Sequence, residues 1–280
     1  MCIRDRVQII KKNNKVSIYL LFMELLVAYK EDPAGYNMAK FISQNLENEN
    51  GVFHGENFDL VILSTPVINA DWLEDKFQYD GFIFLSKHAA ESGTLALTCH
   101  STGNFDTAKF GGNPKQIAIP HPNIQKSYLK NLSTNHELFS DFQITIEATH
   151  HGPTALKKPT IFIEIGTTEK QWNDIELCNS ISKIILKTLK SPIPNYPFAI
   201  CFGGTHYSEK FSNEVINGEF ALGTVMPKHA LDYLDESLFL HILEKNIGAN
   251  TALLDWTGLG KHKQRIVDFL TTTNLEVKKL

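Results

Sequence analysis

Residues 160–189 have the sequence TIFIEIGTTEKQWNDIELCNSISKIILKTL, which contains two hydrophobic periods in succession. Residues 160–165 form an apolar run typical of a buried strand, and Glu164 is the one charged residue within it. Residues 168–189 repeat apolar side chains at helical spacing and predict one amphipathic helix, whose stripe consists of Trp172, Ile175, Cys178, Ile181 and Ile185. A strand followed by a helix that covers it is typical of an α/β fold.

The same alternation recurs on both sides of this segment. Apolar runs predict further strands at residues 25–29, 60–63, 82–85, 95–98, 142–148 and 198–202. Helical periods predict helices from Pro33 onward, at residues 207–216, and around residues 239–243 and 266–270. We therefore predict an α/β fold of three layers, with a mixed, largely parallel sheet flanked by helices. No repeat or low-complexity linker divides the chain, so we expect a single α/β domain over residues 23–280, preceded by an N-terminal extension of residues 1–22.

Composition excludes several classes of protein. With 42% hydrophobic and 21% charged residues among 280, the chain is neither disordered nor fibrous. Its 27 Lys and Arg against 31 Asp and Glu give a net charge of −4, which argues against general DNA binding. The apolar run at residues 16–27 is too short and too polar to span a bilayer, so no membrane partner is expected. The four cysteines have no zinc-finger or redox spacing, which favours a reducing, cytoplasmic compartment.

Histidines follow the ends of several predicted strands. They are His88, His100, the adjacent pair His150 and His151, and His206. Because ligands bind outside the carboxyl ends of strands in open α/β sheets, we expect these histidines to converge. Adjacent histidines on an extended backbone point to opposite sides, unless the turn signalled by Gly152-Pro153 intervenes. A His-His pair alone is more often a surface feature than a metal site, and it is the recurrence that favours a functional site.

Two glutamates accompany these histidines. Glu147 lies within the alternating strand at residues 142–148, on the side opposite its apolar residues, and Glu164 lies in the apolar run described above. Such a carboxylate can ligate a metal, act as a general base or orient an imidazole, and its structural alternative is a salt bridge or a helix cap. The sequence has no Walker loop, no Rossmann glycine fingerprint and no Gly-x-Ser-x-Gly elbow, which argues against an NTPase, a dinucleotide enzyme and an α/β-hydrolase.

Five segments taken together resemble the archaeal and plant type of D-aminoacyl-tRNA deacylase. They are Ser-Lys-His at 86–88, Leu-Thr-Cys-His-Ser-Thr-Gly-Asn-Phe at 97–105, Glu-Ala-Thr-His-His-Gly-Pro-Thr at 147–154, Phe-Ile-Glu-Ile-Gly at 162–166 and Gly-Gly-Thr-His-Tyr at 203–207. The resemblance implies a fold similar to that of nucleoside phosphorylases and peptidyl-tRNA hydrolases. It also implies Zn²⁺ as cofactor and hydrolysis of the ester between a D-amino acid and tRNA, which keeps D-amino acids out of translation.

With this resemblance, we expect the roles to be distributed as follows. Catalytic roles fall to His151, Glu147, Glu164 and His88, and the metal ligands come from His100, His151 and His206. The expected substrate-binding residues are Thr102, Asn104, Phe105, Gly152, Thr154, Gly204 and Lys158. The partner is tRNA charged with a D-amino acid, DNA is not a partner, and the chain is expected to be a monomer. A metal-free reaction with His151 as general base, or with help from the ribose 2′-OH, uses the same residues.

The chain departs from the family pattern at three places. Thr224 stands where the pattern suggests a histidine, His229 follows Pro227-Lys228 where a tyrosine is expected, and Lys87 replaces an arginine. If the missing histidine is a ligand in the family, His229 is a candidate to compensate for it. The alternative functions are a peptidyl-tRNA hydrolase, an enzyme like a nucleoside phosphorylase, or a protein that binds the tRNA acceptor end without cleaving it.

Overall fold

The computed structural model describes residues 7–12, 15–20, 23–91 and 93–280. Its strands are β1 (Val7–Lys12), β2 (Lys15–Leu20), β3 (Glu24–Tyr29), β4 (Glu47–Glu49), β5 (Val52–His54), β6 (Phe58–Leu63), β7 (Gly81–Ala89), β8 (Ala96–His100), β9 (Gly103–Asn104), β10 (Gln116–Ile117), β11 (Gln143–Ile146), β12 (Thr160–Thr167), β13 (Phe198–Phe202), β14 (Ala221–Met226), β15 (Thr251–Leu254) and β16 (Glu276–Lys279). Its α-helices are α1 (Pro33–Ser43), α2 (Leu73–Lys76), α3 (Pro122–Thr134), α4 (Glu169–Trp172), α5 (Ile175–Lys190), α6 (Glu209–Asn217), α7 (Glu236–Lys245) and α8 (Lys263–Thr271).

The larger sheet has eight strands in the order β11-β8-β12-β7-β3-β6-β5-β4. Strands β12, β7, β3 and β6 are parallel neighbours and form its centre. Strands β8 and β11 are parallel to each other, but β8 runs antiparallel to β12. The prediction of a mixed, largely parallel sheet flanked by helices is therefore confirmed.

Helices and connecting chain cover both faces of this sheet. On one face, Ile83, Ile163 and other apolar strand residues share a core with Met38 of α1, Tyr128 of α3 and Ile181 of α5. On the other face, a second cluster includes Phe84, Phe162 and Leu73 of α2. Each fully buried side chain of this size contributes about 1.5–3 kcal/mol through removal from water, so the two clusters hold the three layers together.

A second, smaller sheet follows in the C-terminal half. Its four strands are all parallel and lie in the order β14-β13-β15-β16, with α6, α7 and α8 connecting them in sequence. A third apolar cluster belongs to this sheet and includes Phe202, Met226, Phe239 of α7 and Ile266 of α8. The apolar runs of the sequence did not predict the division of the strands between two sheets, or the strands β14 and β15.

The helix predicted over residues 168–189 is interrupted in the structure. It forms two helices, α4 and α5, and the side chain of Asp174 caps the second by accepting a hydrogen bond from the Leu177 amide at 3.0 Å. Cys178 and Ile181 of the predicted stripe are buried, whereas Ile175 is 53% exposed. The prediction of one continuous helix was wrong because a capping aspartate outweighs hydrophobic spacing at this point.

The predicted N-terminal extension is only partly described. Strands β1 and β2 pair antiparallel in a sheet of their own, and residues 1–6, 13–14 and 21–22 lie outside the described residues. The assignment of residues 23–280 to one domain stays a prediction. None of the helices formed by the described residues combines the length and apolarity that crossing a bilayer requires.

Candidate active site

The two-residue period of the strands places a set of polar side chains on one face of the larger sheet. On β12, Glu164 shares the face of Phe162, opposite the face that packs on α1, α3 and α5. His88 of β7 and His100 of β8 fall on the same face by the same alternation. In the antiparallel pairing of β8 with β12, His100 lies beside Phe162 and Thr98 lies beside Glu164.

The site therefore lies over a face of the sheet as well as at strand ends. Because β8 runs antiparallel to β12, the carboxyl end of β8 does not coincide with that of β12. The expectation that all the histidines meet beyond a common carboxyl edge was wrong for His100. His206 does follow the carboxyl end of β13, and its carbonyl accepts a hydrogen bond from the Ala148 amide at 2.8 Å. That bond joins the smaller sheet to the larger one at the site.

Two buried carboxylates connect these histidines. Glu147 Oε2 lies 2.9 Å from His206 Nε2, and Glu147 Oε1 lies 3.2 Å from His88 Nδ1. Glu164 Oε2 lies 3.6 Å from both His88 Nδ1 and His100 Nε2. Glu147 is 1% exposed and Glu164 is 4% exposed, so water screens neither charge. The predicted convergence of His88, His100, His206, Glu147 and Glu164 is present in the structure.

These contacts set the charge of the site. Burial opposes a positive charge on His88, but the hydrogen bonds and charges of Glu147 and Glu164 outweigh it and raise the pKa of His88 to about 10. Burial alone would raise the pKa of each glutamate. The pKa of Glu147 is instead lowered well below its usual value by His206 and His88, and that of Glu164 is lowered by His100 and His88. Near neutral pH the site thus holds two carboxylates around a protonated His88.

The pair His150 and His151 contributes both of its rings to the site. His151 has a backbone φ of 45°, and its ring centroid lies 4.4 Å from that of His150 and 4.8 Å from that of His100. The chain thus turns between the two rings instead of continuing extended, as the Gly-Pro signal allows. A Cβ at Gly152 would collide with the amide nitrogen of Gly112, so only glycine fits where these two loops touch.

The ring nitrogens are arranged as in a metal site. The Nδ1 atoms of His100, His150 and His151 each lie 2.7–3.0 Å from a backbone carbonyl, those of Ser101, Ala148 and Gly152. An Nδ1–H donated to a carbonyl leaves Nε2 with its lone pair, which is the usual preparation of a metal-binding imidazole. His100 Nε2 is buried and has no hydrogen-bond partner among the described residues. Its contact with Glu164 Oε2 at 3.6 Å raises the pKa of His100 against the effect of burial, so a metal ion bound at Nε2 would displace a proton.

Three groups of side chains among the described residues bring ligand atoms within 4.8 Å of one another. They are His100, His150 and His151; Glu147, His150 and His206; and His88, Glu147 and Glu164. The expected ligands His100 and His151 share one group, whereas His206 belongs to another. His150 belongs to two groups, yet the sequence analysis did not assign it a role. Its adjacency to His151 was the available signal, and only the turn geometry could reveal that both rings face the same side.

Burial and neighbouring rings keep His150 and His151 neutral. The pKa of His150 is lowered well below its usual value by burial and by repulsion from His100 and His151. Burial and the charge of His100 lower the pKa of His151 to about 4. A neutral imidazole is the form that binds a metal or accepts a proton, so both residues are in the competent state near neutral pH.

Tyr207 is a further site residue that the sequence analysis missed. Its hydroxyl lies 2.8 Å from His88 Nε2, on the opposite side of the ring from the two glutamates. Burial raises the pKa of Tyr207, so the hydroxyl keeps its proton. Its position directly after His206 in the Gly-Gly-Thr-His-Tyr segment was the one available signal.

The expected substrate-binding residues lie mainly in the loops that support the histidines. Thr102 donates to the carbonyl of Pro153 at 2.6 Å, and Asn104 donates to the carbonyl of Gly111 at 2.9 Å. Thr154 accepts from the Asn113 amide at 2.8 Å, and Phe105 belongs to the core of the smaller sheet. Gly204, with φ 79°, follows β13, and Lys158 is exposed. Contact of these residues with substrate stays a prediction.

The departures from the family pattern have simple structural settings. Thr224 is fully buried, and its hydroxyl accepts a hydrogen bond from Asn246 Nδ2 at 2.7 Å. His229 is exposed and belongs to none of the three groups of ligand atoms among the described residues. Lys87 points its ammonium over the ring of Trp172, 4.8 Å from the ring centroid. The structure therefore offers no support for compensation by His229.

The sequence of this chain matches those of known proteins. Residues 75–278 match the sequence model of the D-aminoacyl-tRNA deacylases. The chain belongs to the D-aminoacyl-tRNA deacylase family. It is 53% identical over 255 residues to the D-aminoacyl-tRNA deacylase of Cenarchaeum symbiosum, covering 91% of this chain and 99% of that protein. It is 32% identical over 264 residues to the D-aminoacyl-tRNA deacylase of Methanocaldococcus jannaschii, covering 90% of this chain and 97% of that protein.

A solved structure shares the fold of this family member. A crystal structure described as a conserved protein of unknown function superposes with a TM-score of 0.86 and 25% identity, over 92% of this chain and 95% of that one. The two-sheet architecture is therefore present in an experimental structure. Membership of the D-aminoacyl-tRNA deacylase family confirms the resemblance that the histidine and glutamate segments suggested.

Proposed function

We propose that this protein hydrolyses the ester bond between a D-amino acid and tRNA, at the site formed by Glu147, Glu164 and the surrounding histidines. The observation that supports this most directly is the convergence of two buried carboxylates and five imidazoles at the junction of the two sheets, in a chain of this family. Hydrolysis needs a water nucleophile, a group that accepts its proton, and donors for the developing oxyanion.

The chain's own residues can perform these steps. Water attacks the ester carbonyl carbon, a neutral His151 or an ionised glutamate accepts its proton, and the bond to the ribose oxygen breaks as that oxygen receives a proton. Protonated His88 contacts both Glu147 and Glu164 and places a positive charge beside these two carboxylates. Both ring nitrogens of His88 are already engaged, Nδ1 by the glutamates and Nε2 by the Tyr207 hydroxyl, so His88 is expected to act through its positive charge and by positioning these groups.

The donor set fits a zinc ion. His100, His150 and His151 would hold it, because each has Nδ1 paired with a carbonyl and Nε2 left as a ligand atom. A bound zinc ion would supply Lewis acidity, which makes water more acidic and polarises an ester carbonyl. His206, the third ligand expected from the sequence, would then act through its contact with Glu147.

Metal content tests the ligand set independently of activity. Purified protein is expected to retain zinc, and His100→Ala or His150→Ala is expected to lose most of it in a direct metal assay. His136→Ala, which removes an exposed histidine that belongs to none of the three groups of ligand atoms, serves as the matched control. Full metal content in both variants would contradict this ligand set, and full turnover of metal-stripped protein would favour the metal-free reaction.

The tRNA substrate requires positive charge near the site, because the chain as a whole is acidic. Lys157 and Lys158 are exposed and lie just after the His-His-Gly-Pro-Thr loop, separated from it by two residues, so we assign them to the acceptor end of tRNA. A tRNA substrate supports a cytoplasmic location, and we propose that the chain acts as a monomer.

The test of function is release of amino acid from D-tyrosyl-tRNA and L-tyrosyl-tRNA incubated with the protein. We expect release from the D form only. Equal release from both would contradict chiral selection, and release from neither would favour a non-catalytic protein that binds the acceptor end. Release of peptide from peptidyl-tRNA, with none from D-tyrosyl-tRNA, would favour the peptidyl-tRNA hydrolase alternative.

A further inference from the structure

Phe110 is an exposed aromatic residue on the loop of residues 105–115, which connects β9 to β10. It is 67% exposed and belongs to none of the three apolar clusters formed by the described residues. Lys109, directly before it, is exposed as well. Single exposed apolar side chains are common in proteins. It is the position of this one beside the candidate active site that points to a ligand.

The loop holds Phe110 next to the His-His-Gly-Pro-Thr segment. The Phe110 carbonyl accepts a hydrogen bond from the Gly152 amide at 3.1 Å, and Gly152 follows His151 in the chain. A Cβ at Gly111, the residue after Phe110, would lie 2.1 Å from the carbonyl oxygen of Ile68, and Gly111 has a φ of 76°. Glycine is the residue that tolerates both conditions, so the backbone beside Phe110 fits closely against two neighbouring loops.

Buried side chains fix the same loop from below. Asn104 Nδ2 donates to the carbonyls of Gly111 at 2.9 Å and of Asn113 at 3.2 Å, and the Asn113 amide donates to Thr154 Oγ1 at 2.8 Å. Asn104 is 7% exposed and Thr154 is fully buried, so water competes little for these bonds. The loop therefore presents Phe110 to solvent in a defined position.

The substrate of the proposed reaction carries an unpaired base at this distance from the reacting group. The ester joins the amino acid to the ribose of the last nucleotide of tRNA, so the adenine on that ribose lies one nucleoside away from the ester carbonyl. Proteins bind unpaired bases by stacking them on aromatic side chains, beside basic residues that contact the phosphates. Lys109, Lys157 and Lys158 are exposed on either side of the His-His-Gly-Pro-Thr segment in sequence and supply such charge.

We propose that Phe110 stacks on the terminal adenine of tRNA and so positions the esterified ribose at the histidines. The inference rests on the proposed function, because it assigns a contact with the same substrate. Stacking on this base does not depend on the amino acid, since the base is common to all tRNAs. Phe110 therefore contributes to binding of the nucleic acid and not to the choice between D and L forms.

Binding of uncharged tRNA tests the contact without a contribution from the amino acid or from hydrolysis. The two probes are intact tRNA and the same tRNA made abasic at its last nucleotide. The wild type is expected to bind the intact tRNA about tenfold more tightly, as one stacked base predicts. Phe110→Ala is expected to bind both probes equally, with about the affinity of the wild type for the abasic tRNA.

Further variants separate stacking from other effects. Phe110→Trp keeps an aromatic face and is expected to restore the preference for intact tRNA, whereas Phe110→Leu is apolar without such a face and is expected to behave as Phe110→Ala does. Leu138→Ala changes an apolar residue that is 68% exposed in the turn after α3, and it is expected to keep the preference. The dependence of affinity on salt is expected to be the same in Phe110→Ala as in the wild type, because stacking releases no counterions.

The outcomes distinguish this inference from the proposed function. A preference for intact tRNA that persists in Phe110→Ala, or that is equal in Phe110→Leu and the wild type, would overturn the stacking contact even if D-tyrosyl-tRNA is hydrolysed. A preference that depends on Phe110, with no release of D-tyrosine by the wild type, would support the contact and contradict the hydrolysis. Failure of the wild type to bind either tRNA would overturn both.

Discussion

Asp32 couples a helix start to the strand that carries His88. Its Oδ1 atom accepts a hydrogen bond from the Gly35 amide at 2.9 Å and so caps α1. Its Oδ2 atom accepts from the Ser86 hydroxyl at 3.2 Å and from the Lys87 amide at 3.0 Å. The residue is 7% exposed, and burial raises the pKa of its carboxyl above the usual value.

That shift predicts a pH dependence of stability. Because the folded protein holds a proton on Asp32 more tightly than the unfolded chain, Asp32 favours folding at low pH, and this contribution is lost as pH rises through its raised pKa. The free energy of unfolding of the wild type, relative to Asp32→Asn, is therefore expected to increase as pH is lowered from neutrality toward 3.8.

Urea denaturation over this pH range measures the effect. Asp174→Asn makes the same exchange at the exposed N-cap of α5 and serves as the matched control, with a smaller change expected. A difference between wild type and Asp32→Asn that decreases as pH falls would contradict the prediction.

His151 is the single residue with the strongest expected effect on rate. Replacement by Ala removes a neutral imidazole whose ring lies among those of His100 and His150. Release of D-amino acid is expected to fall about 100-fold or more, in the range of general acid–base catalysis, while tRNA binding changes little. Single-turnover release and a filter-binding assay measure the two quantities. His136→Ala is the control, and an unaltered rate in His151→Ala would remove this residue from the mechanism.

Among the elements, α3 is fixed to the α6–β14 connection by a buried lysine. Lys126 is 1% exposed, and its Nζ donates to the carbonyls of Val215, Gly218 and Phe220 at 2.9–3.0 Å. Because β14 is an edge strand of the smaller sheet and α3 covers the larger sheet, this residue connects the two halves of the fold.

Replacement of Lys126 by Met is expected to destabilise the protein by about 2–4 kcal/mol, since several carbonyls lose their donor inside the protein. Lys130→Met, one turn further along α3 at an exposed position, is expected to cost less than about 0.5 kcal/mol. The midpoints of urea denaturation give both values. Equal midpoints for the two variants would contradict this role of Lys126.

The elements also show how far sequence reasoning reached. Strands β3, β6, β7, β12 and β13 were predictable because buried parallel strands are nearly continuous apolar runs. The break between α4 and α5 was missed, although Asn173-Asp174 carries a capping signal. The antiparallel orientation of β8 could not be predicted, because a short apolar run contains no information on the direction of its neighbour. For the same reason the meeting of His100 with Glu164 could be expected, but not its position over the sheet face.

At the scale of the whole molecule, an acidic chain must bind an anionic substrate through a local patch. Lys157→Ala/Lys158→Ala is expected to weaken tRNA binding and to reduce the slope of log affinity against log salt by about 1.5, if both lysines contact phosphate. Binding titrations at several salt concentrations measure the slope. Lys183→Ala/Lys187→Ala removes two exposed lysines of α5 and is the matched control. Identical slopes for the two double variants would exclude the patch.

The antiparallel pairing of β8 with β12 also decides whether His100 joins the reactive centre. A slip of one residue between these strands would turn His100 toward the helix-covered face and leave Glu164 without its neighbour. His88 would keep its contacts with Glu147 and Glu164, but the group of His100, His150 and His151 would lose one member. Turnover per molecule in a refolded sample would then report the fraction of chains in which β8 and β12 pair in the native register. Spectroscopic measures of helix or sheet content cannot report this fraction.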